Sequence, residues 1–372
     1  MQLGPGPGWW AEVTLTPIPR PQAASQRLPV TVVTGFLGAG KTTLLRHLLQ
    51  HSGLRLAVIV NEFGEVGIDG DLIAACGFCP EEELEGRLVE LANGCLCCTV
   101  QDEFLPTMAR LLERSHQLDG IVVETSGLAL PEPLVSAFGW PEIRSRTRVN
   151  VVVTVVDGEA LAAGHVVGDP AAVEAQRQAD PSLDHLNAIE ELFDDQLIAA
   201  DLVLVSRSDR IDPQALAAVV ERLKSSLRPG TPVLPMTRGT VDPELVLDAR
   251  LAIARTDHPY DPRSTHHDEH HHDDHAHVAM QSVVVRLQRP WERAELEERI
   301  RMLLLGAPIL RLKGRWHQPG KRLPLQIQAV GPRLECWYEA TLGETSIQSG
   351  LELVVLGAET DAERIKAACQ QL

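Results

Sequence analysis

The sequence predicts an α/β protein: a parallel sheet with helices on both faces, followed by a smaller α+β unit. Three observations carry that prediction. Apolar runs rich in Val and Ile alternate with helical stretches from Leu28 to about Leu251, the pattern of βαβ units whose strands are covered on both faces. A glycine-rich loop joins the first of these runs to the first helix. Residues 257–278 then abandon apolar periodicity, and a second set of strand-like runs follows. A chain of 372 residues, at roughly 150 per domain, suits two domains.

Residues 1–28, rich in Pro, Gly and Gln, read as a flexible leader. The larger domain, 29–256, is expected to place strands at Val30–Thr34, Leu56–Val60, Gly120–Glu124, Val149–Val156, Leu202–Val205 and Pro232–Leu234. Helices are expected between them at Lys41–His51, Asp102–Ser115, Asn187–Ala200 and Pro213–Leu227. Arg87–Leu91 is also strand-like and should join the same sheet. Residues 257–278 read as a solvated, His-rich linker. The unit 279–372 should hold strands at Val283–Leu287, Ile309–Lys313, Leu325–Val330, Arg333–Tyr338 and Leu351–Val355, with helices at Arg293–Leu305 and Asp361–Gln371.

Composition removes several function classes. Apolar residues make up 44% and charged residues 23%, enough for a well-buried core. The formal charge of −17 argues against a nucleic-acid partner, whose phosphates require a basic surface. No run of eighteen apolar residues exists, so no membrane-spanning helix is expected. The N-terminal segment lacks a basic start followed by an apolar stretch, so no secretory signal is expected. Five of the seven cysteines fall between Cys76 and Cys98, a spacing that suits a metal or redox site in a reducing cytoplasm better than a disulfide framework.

The segment Gly35-Phe-Leu-Gly38-Ala39-Gly40-Lys41-Thr42 matches G-x-x-x-x-G-K-[ST], the phosphate-binding loop or P-loop, between a strand and a helix. Such glycines let successive backbone N–H groups turn toward phosphates, and the helix N-terminus adds its positive dipole end. Lys41 should reach the β- and γ-phosphates, the Thr42 hydroxyl should bind Mg²⁺, and Thr43 beside it should also bind the nucleotide. A nucleotide-hydrolysing P-loop also needs a carboxylate at a neighbouring strand end. Glu124 ends Gly120–Glu124, and Gly127, three residues on, offers a backbone N–H to a γ-phosphate. Base choice rests on Ser206-Arg207-Ser208-Asp209, which stands where N-K-x-D reads guanine. Asp209 keeps the acceptor for the two guanine N–H groups, and adenine offers no such donor pair, so GTP is favoured.

Cys95, Cys97 and Cys98 place three thiols within four residues. Three thiolates satisfy the ligand type of a tetrahedral Zn²⁺ or Co²⁺ site with one position open. Cys76 and Cys79 fit a second metal pair, a redox pair or plain packing equally well. His266, His267, His270, His271, His272, His275 and His277, interleaved with acids, suit loose auxiliary metal binding without fixed geometry.

The segments 34–45, 61–70, 90–100, 124–134, 152–158, 189–209, 310–321 and 325–333 together resemble the CobW-type metal-chaperone GTPases, a class that also holds the hydrogenase and urease maturation GTPases. The likeness covers nearly everything beyond the leader. It implies the P-loop NTPase parallel sheet of that GTPase class, followed by a smaller α+β CobW C-terminal domain. It implies that Glu62 and Asp69 lie in a nucleotide-responsive switch, and that Cys95, Cys97 and Cys98 are the metal ligands. The implied activity is a GTP-hydrolysing metallochaperone using GTP and Mg²⁺ and carrying Co²⁺ or Zn²⁺. Its cargo would be Co(II) for cobalamin biosynthesis, with Zn(II) the alternative. The implied partner is a client metalloenzyme or chelatase, a cobaltochelatase among the options, and a homodimer stays open. From another class, a P-loop small-molecule kinase competes, but it gives the three cysteines no role.

Overall fold

The computed structural model describes residues 27–60, 88–90, 104–179, 189–248, 279–339 and 349–372. Glu62, Asp69, Cys76, Cys79, Cys95, Cys97, Cys98, the seven linker histidines and almost all of the proposed leader lie outside the described residues.

Strands β1 (Leu28–Thr34), β2 (Leu56–Val60), β3 (Leu88–Glu90), β4 (Gly120–Glu124), β5 (Thr147–Asp157), β6 (Leu202–Ser206) and β7 (Val233–Pro235) form one sheet in the order β3-β2-β4-β1-β5-β6-β7. Every pairing in it is parallel. Strands β1, β2, β4, β5 and β6 are buried along their whole length, which is why they read as continuous apolar runs rather than as alternations. Within the strand-like segment 87–91, Leu88–Glu90 forms β3, which ends the sheet beside β2 among the described residues.

Helices cover both faces. The helices, in chain order, are α1 (Lys41–His51), α2 (Leu105–Glu113), α3 (Pro131–Ala137), α4 (Pro141–Arg144), α5 (Gly158–Ala162), α6 (Pro170–Ala179), α7 (Ile189–Ala199), α8 (Pro213–Lys224) and α9 (Pro243–Val246). One core packs Val30, Val32, Ile59 and Ile121 against Met108, Leu112, Leu134 and Ile143 from α2, α3 and α4. Another packs Val33, Val58 and Val153 against Leu44, Leu45 and Leu48 of α1. A further cluster sets Leu192, Phe193 and Leu197 of α7 and Val219 and Leu223 of α8 against Val203 and Val205. Helical periodicity does not announce α3, α4, α5 and α9, which are too short to show it, nor α6, whose ten residues hold Val173 as their one large apolar side chain. Four of these five begin at a proline, whose fixed φ and missing N–H suit the first helical position, so their signal lies in the prolines.

The second unit is an antiparallel sheet, order β11-β10-β9-β12-β8, formed by β8 (Met280–Leu287), β9 (Ile309–His317), β10 (Leu325–Val330), β11 (Arg333–Tyr338) and β12 (Gly350–Ala358). Helices α10 (Arg293–Gly306) and α11 (Ala362–Cys369) supply Leu296, Ile300 and Ile365 to a core with Leu312, Trp316, Ile327 and Leu353. β9 runs four residues past the expected Lys313. Gly314 allows it, because a Cβ there would lie 2.3 Å from the Leu353 side chain, and Trp316 beyond it is buried.

Two ion clusters, each centred on a buried aspartate, fasten this sheet to the first. Asp248 accepts from Lys313 Nζ at 2.9 Å, from Gln328 Nε2 at 3.0 Å and from Arg148. Arg148 also lies over the Trp337 ring at 4.5 Å. Burial alone would raise the Asp248 pKa, but Lys313, Arg148 and Arg311 outweigh it and hold the carboxyl well below the usual carboxylate range. In the second cluster, Asp201 pairs with Arg228 at 2.7 Å and with Arg333, and accepts from the Val152 amide. Gly331, at φ 51°, presses on the Asp201 carbonyl, where a Cβ would stand 2.1 Å away. No helix among the described residues is long and apolar enough to cross a membrane.

Candidate nucleotide site

The carboxyl ends of β1, β4 and β6 open onto one cleft of about 840 Å³, the position at which open parallel sheets take ligands. Its floor is the loop between β1 and α1. Gly35, Gly38 and Gly40 hold φ of 135°, 74° and 106°, a region that side chains with a Cβ rarely enter. Gly35 lies beneath the cleft rather than on its wall, and a Cβ there would stand 2.1 Å from the Val155 carbonyl. Gly38 faces open space, with nothing within 4 Å of where its Cβ would be. That open cradle beside the N-terminus of α1 has the shape and polarity that phosphate oxygens require.

Lys41 is buried, and its Nζ donates to the carbonyls of Gly35 at 2.8 Å and Phe36 at 3.2 Å. The ammonium is thus tied to the loop, and Lys41 lines the cleft together with Gly38, Ala39, Gly40, Thr42 and Thr43. Across from it, β4 delivers Glu124, Thr125, Ser126 and Gly127 to the same wall. The amide of Thr125 donates to Val33 O at 2.9 Å and its hydroxyl to Thr34 Oγ1 at 3.0 Å, which ties the end of β4 to β1. Gly127 is obligatory, since a Cβ would come 2.6 Å from the Leu37 amide nitrogen. Thr42 and Glu124 therefore face one space with Lys41, a hydroxyl and a carboxylate that suit Mg²⁺ beside a triphosphate.

At the far end, Asp209 is exposed on the cleft rim in the short turn after β6. Arg207 precedes it with φ 53°, and its guanidinium bonds Asp157 and the Gly38 carbonyl, the latter at 2.9 Å. The arginine standing where N-K-x-D has lysine thus braces the phosphate loop against the end of β5. Asp157 in turn caps α5 through the amides of Glu159 and Ala160. Met236, Arg238 and Gly239, beyond β7, complete this wall, and Gly239 packs against Thr43 with a would-be Cβ contact of 2.7 Å. Sequence reasoning missed Asp157 and the Met236–Gly239 turn. A glycine just past a strand is the only cue to the latter.

Among the described residues no three His, Cys, Asp or Glu side chains converge as a metal site. Cys336 and Cys369 sit in the second unit, where burial pushes their thiols up to about 12 and about 11.

Comparisons with known proteins identify the family. The family described as CobW/HypB/UreG, nucleotide-binding domain, matches residues 29–235, and the cobalamin synthesis protein cobW C-terminal domain matches 280–372. A protein of Pseudomonas aeruginosa named zinc chaperone CobW is 47% identical over 93% of this chain and 91% of its own length. One of Sinorhizobium sp with the same name is 42% identical over 94% of this chain and 99% of its own. The solved structure of Zn(II)-bound YjiA GTPase from E. coli is 24% identical, covers 93% of this chain and 99% of its own, and has a TM-score of 0.39. The chain belongs to the CobW/HypB/UreG family and is a P-loop GTPase with a CobW C-terminal domain.

Proposed function

We propose that this GTPase is a metallochaperone that loads Zn²⁺ on Cys95, Cys97 and Cys98 and uses GTP to govern its release to a client metalloprotein in the cytoplasm. The observation that carries the reading is the position of β3. Its last residue, Glu90, is in register with Val60, and Val60 with Glu124 at the cleft wall. At about 4.8 Å per strand, the backbones at positions 90 and 124 lie roughly 10 Å apart. Cys95 follows Glu90 by five residues, a reach of at most about 18 Å. A thiolate site so tethered can respond to what occupies the nucleotide cleft.

In this reading GTP lies along the P-loop with Lys41 against its β- and γ-phosphates. Thr42 and Glu124 hold Mg²⁺ and its waters, Gly127 offers an N–H to the γ-phosphate, and Asp209 reads the base. Mg²⁺ would supply charge neutralisation between the phosphates. The segment holding Glu62 and Asp69 joins β2 toward β3, so a change there acts on both the cleft and the cysteines. The His-rich stretch would act as a low-affinity metal buffer. The residues 1–28, 29–256, 257–278 and 279–372 then divide into leader, GTPase domain, linker and C-terminal domain.

Zinc takes precedence over the cobalt that the sequence resemblance implies. Thiolate sites hold Zn²⁺ more tightly than Co²⁺ in the ordinary affinity order, and two relatives above 40% identity carry zinc in their names. Delivery of Co²⁺ to a cobaltochelatase would need selectivity supplied by the client.

The test is a competition titration of Zn²⁺ and Co²⁺ against a chromogenic chelator, with Mg²⁺ and either GDP or a non-hydrolysable GTP analogue. Metal should bind at least tenfold more tightly with the GTP analogue than with GDP, a coupling of about 1.4 kcal/mol. Affinity should rise with pH through the thiol range, and Cys97→Ser should lose the difference while still binding nucleotide. Equal metal affinity in both states refutes the nucleotide-driven chaperone.

A further inference from the structure

Gln196 is fully buried on α7, among Leu192, Phe193 and Leu197. An apolar side chain would fill that position without any need for partners. Instead its Nε2 donates to two main-chain carbonyls of the loop after β4, Gly127 O and Ala129 O, both at 3.1 Å. The reverse orientation of the amide would set an oxygen against two carbonyl oxygens, so the direction is fixed. Its Oε1 has no hydrogen-bond partner among the described residues. The bond count therefore favours the loop, not the helix.

Two further contacts make α7 a brace for both halves of the phosphate site. Phe193, three residues earlier and hence on the same helix face, stacks on Phe36 of the P-loop with ring centroids 6.0 Å apart. The Gln196 carbonyl accepts from Thr154 Oγ1 of β5 at 3.0 Å, which fixes the helix on the sheet. The P-loop is thus held at Phe36, and the opposing loop at Gly127 and Ala129. Gly127 itself has no side chain through which a neighbour could hold it, and it presses on the Leu37 amide. Its carbonyl is held from behind by the Gln196 amide.

We propose that Gln196 is a positioning residue: by anchoring the Gly127 and Ala129 carbonyls it holds the loop whose Gly127 N–H faces the terminal phosphate, and so sets how strongly the protein distinguishes GTP from GDP. The proposal rests on the reading of Gly127 as the γ-phosphate contact. GDP has no group at that position, so loss of the amide should act on the triphosphate alone.

The experiment uses the full-length protein with Gln196→Leu and Gln196→Asn. It measures affinity for GDP and for a non-hydrolysable GTP analogue with Mg²⁺, together with kcat for GTP. In Gln196→Leu, GDP affinity should stay within twofold of wild type, while analogue affinity and kcat each fall at least tenfold. Gln196→Asn, which keeps the donor on a shorter stem, should fall between. If Gln196→Leu does not fold, Gln196→Met, unbranched and of similar volume, is held to the same criterion. An analogue-to-GDP affinity ratio within twofold of wild type overturns the proposal, as does an equal loss for both nucleotides, the mark of a merely structural role. The Gly127 amide resonance of the wild-type protein, followed by 15N NMR with GDP and with the GTP analogue, separates the two readings. Should it shift equally with both nucleotides, Gly127 is not the phosphate contact and both fall. Should it shift with the analogue alone while Gln196→Leu keeps the wild-type affinity ratio, only the role of Gln196 falls.

Discussion

Replacing Asp248 by Asn tests how the second sheet is held against the first. The carboxylate is buried, with side-chain exposure of 5%. Oδ1 takes Lys313 at 2.9 Å and faces Arg311 at 3.6 Å, while Oδ2 takes Gln328 at 3.0 Å and Arg148. Asparagine keeps the shape but turns an NH₂ toward cations and leaves three buried positive groups without their counter-charge. Removing one partner from a buried ion pair costs about 3–5 kcal/mol, because the abandoned charge stays desolvated. Arg311 retains its bonds to the Glu244 and Leu245 carbonyls and to Asn150, so the lower half of that range is expected, about 3 kcal/mol. Urea unfolding followed by tryptophan fluorescence suits the assay, since Trp337 packs on Arg148. The pH dependence has a definite sign. A carboxyl whose folded pKa lies below its unfolded value contributes fully above the latter, near about 3.9, and loses that contribution as pH falls below it. The deficit of Asp248→Asn should therefore be constant from pH 8 to pH 5 and shrink below about pH 4. A deficit under about 1 kcal/mol at pH 7, or one already shrinking between pH 7 and pH 5, refutes the reasoning.

Lys41→Ala removes the ammonium bonded to Gly35 and Phe36 and should abolish GTP hydrolysis in a folded protein; turnover within tenfold of wild type in a steady-state phosphate-release assay would remove Lys41 from the reaction. Asp209→Asn exchanges an acceptor for a donor at the cleft rim and should weaken GTP binding by about 1–3 kcal/mol without weakening ATP, as read by calorimetry; equal changes for both nucleotides would take base reading away from this residue. Deleting residues 264–277 should lower the number of weakly bound Zn²⁺ ions in equilibrium dialysis while GTP turnover stays within twofold; a collapse of nucleotide binding would make the segment structural.

The sequence alone specifies the phosphate loop, because its requirements are local. A strand, glycines able to take positive φ, and a lysine opening a helix are all contiguous, and each of Gly35, Gly38 and Gly40 adopts the conformation its residue type permits. It also determined the parallel sheet, since strands buried on both faces must be apolar throughout, and it placed Glu124 and Gly127 at a strand end. It did not determine what those loops rest on. Gln196 reads in sequence as one polar residue on a helix, and only the packing of α7 against the loop after β4 brings its amide to Gly127. Asp157 and Arg207 are fifty residues apart, and Arg148, Asp248 and Lys313 come from three separated segments. Pairing of that kind is decided by which elements fold together. A buried charge is tolerated only where tertiary structure surrounds it with partners, and the identity of those partners is written in no local pattern.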